Sequence, residues 1–288
     1  MIPAEFDYKA PATLDEAVAL LASDLDGAKV LAGGHSLIPA MKLRLAQPQL
    51  LVDIARIKSL AYIREEGDQI LIGATTTHYQ LESSDLLKRI CPLLPDCAKS
   101  IGDVQVRNKG TIGGSIAHSD PAGDWPAAVL ALDADLVLVG PNGERTAKVE
   151  NFFVDMLTTD LQPGEILREI RIKKPNGRFG HAYQKVPHPA SGFAVVGVAV
   201  NLVLNDDDSC KSAGIGVTGV GVKAYRANAV ETALAGTGLD DNAIAAAIAH
   251  VCDGIDPNSD LYASGEYRCH LAQVHARRAI QAAKARVQ

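Results

Sequence analysis

The segment AKVLAGGHSLIPAMKLRLAQPQLLVDI, residues 28–54, places two adjacent glycines between an apolar run and a helical pattern. Residues 28–32 predict a buried strand, residues 36–46 predict a helix, and residues 49–54 predict a second strand. A helix between two strands is typical of a β-α-β unit. We therefore expect a small α/β subdomain over residues 1–56.

A helix before this segment should pack on the same small sheet. The stretch TLDEAVALLA begins with Thr13 and carries Glu16 three residues later, which is a capping box. Three- and four-residue spacing then places Leu14, Ala17, Val18 and Leu21 on one helical face.

The pattern changes after residue 56 and again near residue 175. Short paired strands, with a turn at residues 66–68, alternate with helical segments, which predicts a second and larger subdomain of strands and helices over residues 57–175. A polar stretch with Pro and Gly at 173–180 is a candidate linker. Three strand-like runs and three helical patterns follow, so a C-terminal domain with an antiparallel sheet and helices on one face is expected over residues 179–288. The helical patterns lie at about 225–235, 240–253 and 264–286.

Composition and charge limit the classes of partner. The 288 residues are 47% hydrophobic and carry a formal net charge of -6, so no basic field gathers nucleic acid or an anionic membrane. No apolar run approaches the roughly 18 residues of a membrane span, and the N-terminal residues do not resemble a signal peptide. We expect a cytoplasmic protein that binds small molecules and other proteins, with no nucleic-acid partner and no stable membrane insertion.

The cysteines and histidines do not predict a metal site. The five cysteines are scattered without a Cys-x-x-Cys pair, and the histidines form no i, i+4 pair with a supporting carboxylate. We therefore expect five free thiols in a reducing compartment. The cysteines are Cys91, Cys97, Cys210, Cys252 and Cys269.

The last helical pattern has an apolar stripe and a basic remainder. Its stripe contains Ala272, Ala276, Ala279, Ile280, Ala283 and Val287, and its basic residues are Arg268, Arg277, Arg278, Lys284 and Arg286. The basic residues fit either a solvated face or a docking surface for an acidic partner subunit.

The glycines at the start of the β-α-β helix suggest an anion site. Gly33 and Gly34 let the backbone approach a bulky group, and the helix beginning near Ser36 directs free N–H groups into the same space. A tight turn is the alternative interpretation. The segment is neither a Walker loop nor the G-x-G-x-x-G of dinucleotide-binding folds.

A second glycine-rich segment, VQVRNKGTIGGSIAHSDPAGDWPAAVLAL, lies at residues 104–132. Its glycines are Gly110, Gly113 and Gly114, its hydroxyls are Thr111 and Ser115, and its carboxylates are Asp120 and Asp124. Two such loops in one chain predict a dinucleotide whose pyrophosphate lies between them. Asp124 is also a candidate N-cap for the helix beginning at Trp125.

Four motifs in order resemble one protein family. AGGHSLIPAMKLRLAQPQLLVDI (32–54), GTIGGSIAHSDPAGDWPAAVLAL (110–132), PGEILREIRI (163–172) and the lysine of YQKV (183–186) occur as they do in the FAD-binding medium subunits of bacterial molybdenum hydroxylases, related to carbon monoxide dehydrogenase and xanthine dehydrogenase. The resemblance covers essentially the whole chain. It implies an α+β fold: a vanillyl-alcohol-oxidase-like (PCMH-type) FAD-binding domain of two α/β subdomains, followed by a C-terminal α+β domain.

The resemblance also implies a set of FAD-binding residues and no catalytic or metal-binding residue. The pyrophosphate set is Ala32, Gly33, Gly34, His35, Ser36, Thr111, Ile112, Gly113, Gly114 and Ser115. Asp124 is expected on the ribose side, and Leu167 and Lys185 are expected near the isoalloxazine. Leu37, Ile101 and Phe193 are further FAD-binding residues that the resemblance implies. A surface lysine on an edge strand is the alternative for Lys185.

Three positions bear on the subfamily. The second motif of the family often ends in asparagine where this chain has Ser115, and carbon monoxide dehydrogenases tend to have tyrosine near Phe193. A Gly-Gly-His-Ser sequence, here with His35, also occurs in oxidases that bind flavin covalently through the histidine. Because those enzymes carry a larger substrate domain, noncovalent FAD is expected here.

The function implied is that of an oxidoreductase subunit that transfers electrons. A partner subunit oxidises the substrate at a molybdenum-pterin centre, [2Fe-2S] clusters in a small subunit pass the electrons to FAD in this chain, and an external acceptor takes them up. The family resemblance implies a dimer of heterotrimers. A stand-alone flavin oxidase and a nucleotide-binding module without redox chemistry are the alternatives.

Overall fold

The computed structural model describes residues 2–287 and begins with a small parallel sheet. Its elements are β1 (Asp7–Lys9), α1 (Leu14–Ser23), β2 (Ala28–Leu31), α2 (Leu37–Lys42) and β3 (Leu50–Asp53). The strand order is β1-β3-β2, and both pairings are parallel. The predicted β-α-β unit is therefore confirmed, and α1 buries Ala17, Val18 and Leu21 against it.

Two details of this unit differ from the prediction. The helix α2 ends at Lys42 instead of continuing to residue 46, because Arg44 adopts a left-handed backbone conformation with φ of 59°. The strand β1 was not predicted, since it has only three residues and all of them are exposed.

The second subdomain is a five-stranded antiparallel sheet with helices packed against it. Its strands are β4 (Ile63–Glu66), β5 (Gln69–Gly73), β6 (Asp135–Gly140), β7 (Gly143–Lys148) and β10 (Ile166–Lys173), in the order β4-β5-β10-β6-β7. Its helices are α3 (His78–Ser83), α4 (Asp85–Ile90), α5 (Leu93–Lys99), α6 (Val104–Arg107), α7 (Ile112–His118) and α8 (Asp124–Ala131). A two-stranded hairpin, β8 (Phe153–Asp155) and β9 (Thr158–Thr159), precedes β10. The predicted hairpin turn is present, with Gly67 at φ of 59° between β4 and β5.

The C-terminal part contains the predicted antiparallel sheet and helices. Its strands are β11 (Arg178–Pro187), β12 (Ala194–Leu204), β13 (Cys210–Thr218) and β14 (Tyr225–Arg226), paired in that order, and its helices are α9 (Asn228–Leu234), α10 (Asp241–Ile248) and α11 (Gly265–Ala285). The apolar stripe of α11 packs on this sheet with Ala272, Ala276, Ala279, Ile280 and Ala283 buried. Within residues 2–287, no helix is long and apolar enough to cross a membrane.

The helix α8 joins the two parts, because all eight of its residues are buried. On the side of the C-terminal sheet, Gly214 and Gly216 of β13 lie directly against the carbonyl oxygens of Ala131 and Ala127. A side chain at either glycine would collide with the helix backbone, so glycine permits this close packing of strand and helix.

Two expectations about the C-terminal residues are wrong. Cys252 and Cys269 form a disulfide between the turn after α10 and the helix α11, whereas Cys91, Cys97 and Cys210 are free and buried. The fold brings the two α-carbons to 6.0 Å, which a separation of 17 residues in the sequence does not reveal.

The basic residues of α11 do not form one solvated face. Arg268 is buried and donates to the carbonyl oxygens of Val195 and Gly219. Lys284 donates to the carbonyl oxygen of Gly238, and Arg286 forms an ion pair with Asp96 of α5. Much of this charge therefore stabilises the fold. A docking surface that uses all five residues is excluded.

Candidate functional site

The first glycine loop, residues 32–36, connects β2 to α2 and exposes its backbone donors. Gly34 adopts a positive φ of 75°, which glycine allows without strain. Within residues 2–287, the amides of Gly33, Gly34, His35 and Ser36 have no hydrogen-bond acceptor. Consecutive unbonded amides of this kind form a concave site for an anion. The predicted anion site is therefore supported by the backbone of this loop.

The two glycine loops lie against each other. A β-carbon at Gly33 would collide with the carbonyl oxygen of Lys109 and would lie 2.8 Å from the α-carbon of Gly110. A β-carbon at Gly114 would lie 3.9 Å from the β-carbon of Ala32. The predicted pairing of the two motifs at one site is thus present, and it depends on glycine at position 33.

The second loop, residues 110–114, differs from the first because four of its five amides donate to acceptors within the chain. Ile112 donates to the carbonyl oxygen of Thr76 at 3.1 Å, and Gly113 donates to that of Ala74 at 2.9 Å. The amide of Gly114 donates to Oγ1 of Thr111, the N-cap of α7, at 3.2 Å. These hydrogen bonds attach the loop to its neighbour, and the amide of Thr111 is the one amide of the loop without an acceptor within residues 2–287.

The neighbour is the segment GATTTH, residues 73–78, which sequence reasoning did not identify. In addition to the two bonds above, the amide of His78 donates to the carbonyl oxygen of Gly110 at 3.0 Å, and Thr77 forms a β-bridge with Thr111. The capping box of Thr77 and Gln80 marks this segment as the start of a helix. That signal places the segment before a helix, but it does not indicate which loop it contacts.

A buried histidine lies beneath the second loop. Trp125 Nε1 donates to His78 Nδ1 at 3.0 Å, and a β-carbon at Gly110 would lie 2.6 Å from His78 Nε2. Burial lowers the pKa of His78 to about 4, so the imidazole is neutral at physiological pH. Because Nδ1 accepts a hydrogen bond, the ring proton resides on Nε2, adjacent to Gly110. His78 thereby supports the loop sterically without adding charge.

Asp124 and Lys185 form a buried ion pair across the two parts of the chain. Lys185 Nζ on β11 donates to Asp124 Oδ2 at 2.9 Å and to the carbonyl oxygen of Ser100 at 2.9 Å, and its side chain is 6% exposed. Tyr183 donates its hydroxyl hydrogen to Asp124 Oδ1 at 2.5 Å. Lys185 lies on an edge strand, as one interpretation predicts, but it is not a surface lysine.

The N-cap interpretation of Asp124 is also wrong. Gly123 occupies the N-cap position of α8, and Asp124 is the first helical residue. Burial raises the pKa of Asp124, while the charge of Lys185 and the hydrogen bond from Tyr183 act in the opposite direction. Both of its oxygens are bonded to residues of the C-terminal part of the chain.

The remaining predicted residues lie in two regions. Leu167 is buried on β10, next to Arg168, whose carbonyl oxygen accepts from the amide of Ala74. Ile101 is half-buried directly after Ser100, and Phe193 is 45% exposed in the loop before β12. A β-carbon at Gly192 would lie 3.8 Å from Gly102, so the loops that carry Ile101 and Phe193 are adjacent.

Three predicted residues have little role within the chain itself. His35 is exposed and Leu37 is half-buried at the first turn of α2. Asp120 accepts from the amide of Ala122 at 2.8 Å and so shapes the turn before α8.

Two family models together match most of the chain. Residues 4–175 match the FAD binding domain in molybdopterin dehydrogenase, and residues 181–283 match the CO dehydrogenase flavoprotein C-terminal domain. The chain is 41% identical over 286 residues to the carbon monoxide dehydrogenase medium chain of Hydrogenophaga pseudoflava, covering 99% of both chains.

The chain belongs to the FAD-binding medium subunits of molybdenum hydroxylases. Its FAD cofactor, its oxidoreductase class and its α+β architecture are thereby confirmed. Solved structures agree across the family. The chain superposes on carbon monoxide dehydrogenase from Hydrogenophaga pseudoflava with a TM-score of 0.97, 43% identity and 100% coverage of both chains. It superposes on quinoline 2-oxidoreductase from Pseudomonas putida 86 with a TM-score of 0.92, 30% identity and 99% coverage of both chains.

Proposed function

We propose that this medium subunit holds FAD noncovalently and relays electrons from [2Fe-2S] clusters of a small partner subunit to an external acceptor. The single observation that carries the proposal is the contact between the two glycine loops, the first of which has four amides without a hydrogen-bond acceptor within residues 2–287. The dinucleotide FAD matches these features, since its pyrophosphate needs hydrogen-bond donors and its reduced ring needs positive charge.

The two glycine loops and Asp124 would contact the pyrophosphate and the ribose of FAD. The amides of residues 33–36 would bind the pyrophosphate, and Leu37 continues this loop into α2. The second loop, from Thr111 to Ser115, would contribute its bare surface at Gly114 and its hydroxyl groups. Asp124 would meet the ribose side through the remaining lone pairs of its carboxylate.

The isoalloxazine would lie near Ile101, Leu167, Lys185 and Phe193. An ammonium group has three hydrogens, and within residues 2–287 Lys185 uses two of them, one toward Ser100 and one toward Asp124. The third hydrogen is available to a ligand in a site where the side chain is otherwise buried. Bound FAD supplies the ability to accept electrons singly and to release them in pairs. Lys185 would stabilise the negative charge that reduction creates.

No residue of the chain needs to act as an acid or base toward the organic substrate. We assign that reaction to a large molybdenum subunit, with a small iron–sulfur subunit between the two and a dimer of heterotrimers as the assembly. Quinone, NAD or oxygen would serve as the external acceptor. We propose domain limits of 1–56 and 57–175 for the FAD-binding subdomains and 179–288 for the C-terminal domain.

Purification of the native complex through a tag on this chain tests the proposal. We expect two further polypeptides, with FAD, iron and molybdenum present together. A complex assembled with the Gly33→Val variant should retain iron and molybdenum and lose FAD, since the side chain would force the two glycine loops apart. The Gly238→Ala variant, whose added methyl meets no atom within 4 Å, is the control and should retain FAD.

Two results would contradict this function. Turnover of an alcohol or amine by the isolated chain would indicate a stand-alone oxidase. A chain that binds a nucleotide other than a flavin would indicate a module without redox chemistry.

A further inference from the structure

The strand β11 presents two polar side chains to the same buried carboxylate. Tyr183 and Lys185 are two residues apart, so they point to the same side of the strand, toward α8. Asp124 receives one hydrogen bond from each, Oδ1 from Tyr183 and Oδ2 from Lys185. Each donor is therefore bonded to a different oxygen of the Asp124 carboxylate.

The neighbouring strand leaves room for this arrangement. Gly197 of β12 pairs with Lys185, and a β-carbon at Gly197 would collide with the hydroxyl oxygen of Tyr183. Glycine at this position allows the phenol to reach Asp124. The Cys97 thiol also lies near the pair, and burial keeps its pKa well above the usual value, so it adds no charge.

We propose that Tyr183 is a positioning residue that sets the reduction potential of the bound flavin through Asp124 and Lys185. This inference rests on the proposed function, in which Lys185 faces the isoalloxazine. Because the phenol donates to Oδ1, it fixes the orientation of the carboxylate, so that the ammonium donates to Oδ2 and to the Ser100 carbonyl oxygen and keeps its third hydrogen for the flavin. Without the phenol, the ammonium would be shared between both carboxylate oxygens and withdrawn from the flavin.

The test is the midpoint potential of the flavin in the complete complex, measured with the Tyr183→Phe variant. We expect a lower potential than in the wild type, shifted in the same direction as in Lys185→Ala and by a smaller amount. The matched control is Tyr225→Phe, which also removes a phenol hydroxyl from the C-terminal sheet, here from a half-buried residue that donates to the carbonyl oxygen of Val251 at 3.0 Å. The control should keep the wild-type potential.

A substitution on the neighbouring strand β12 tests the same contact between Tyr183 and Asp124. The methyl group in Gly197→Ala would displace the phenol without removing it, so we expect a lower potential here as well. Replacement of Tyr183 by 3-fluorotyrosine, which keeps the hydroxyl donor, should leave the potential close to that of the wild type. Thermal unfolding and FAD content verify that each variant is folded and loaded.

The outcomes separate the two proposals. If Lys185→Ala lowers the potential and Tyr183→Phe leaves it unchanged or raises it, the role of Tyr183 is overturned and the proposed function stands. If Lys185→Ala itself has no effect, both the placement of Lys185 and the role of Tyr183 are wrong. Loss of folding in both Tyr183→Phe and Gly197→Ala would also overturn the inference, since a positioning residue is dispensable for the fold.

Discussion

Gly33 is a residue of the proposed site where a single substitution should have a large effect. A β-carbon there would collide with the backbone of Lys109 and Gly110, and backbone atoms cannot move aside as a flexible side chain can. We expect Gly33→Ala to lower the free energy of unfolding by about 2 kcal/mol, as overpacking does, and to abolish FAD retention. Urea unfolding and the FAD content after gel filtration measure both effects. A variant with wild-type stability and full FAD content would show that the loops are not in contact.

At the scale of single residues, the sequence indicated candidate positions for the site but not the contacts that these residues make. Gly33 and Gly34 were identified because glycine pairs before a helix suit an anion. The burial of Lys185 could not be predicted, since it depends on Asp124 being brought to it from a residue 61 positions away. Only the family resemblance indicated that Lys185 is a flavin-site residue and not an ordinary lysine on a strand.

The element that holds the second loop in place is the segment 73–78, and His78 makes it sensitive to acid. The pKa of His78 falls from 6.5 to about 4 on folding, so the folded protein binds its proton less readily than the unfolded chain. The free energy of unfolding should therefore be unaffected by His78 above about pH 6.5 and should decrease as the pH falls toward 4, by about 3 kcal/mol in total.

Urea unfolding at a series of pH values measures this dependence. The wild type should lose more stability between pH 6.5 and 4 than His78→Gln, because the variant has no imidazole to protonate at this position. His181, whose pKa burial also lowers to about 4, and His275, whose pKa burial lowers, contribute to the loss that remains. His270→Gln, at an exposed position, is the control and should follow the wild type. Equal slopes for His78→Gln and the wild type would contradict the account.

At the scale of elements, periodicity and capping predicted α1, the β-α-β unit and the C-terminal helices. The occupied amides of the second loop were beyond sequence reasoning, because residues 74–76 accept them from a distant part of the chain. A glycine pattern identifies where the backbone has no side chains. It does not specify which amides remain free.

For the whole molecule, α8 unites the FAD-binding domain and the C-terminal domain in a single folding unit. We expect Gly216→Ala to lower the free energy of unfolding by about 2 kcal/mol, because the methyl group would press on the carbonyl oxygen of Ala127. Calorimetry should show a single transition, shifted to lower temperature, with Gly238→Ala as the unshifted control. Two separate transitions would show that the two domains unfold independently.

The order of the domains was predictable, whereas their mutual packing was not. The linker predicted at 173–180 is too long, because the structure limits the connection between β10 and β11 to residues 174–177. The contacts of Gly214 and Gly216 with α8, and the disulfide between Cys252 and Cys269, join residues whose proximity exists only in the folded chain.

The most direct test of the central claim is an absorbance spectrum of the purified native complex, repeated on the supernatant after acid precipitation. We expect flavin and iron–sulfur absorbance before precipitation, and one FAD per chain released into the supernatant. A colourless protein, or flavin that remains with the precipitated chain, would contradict it.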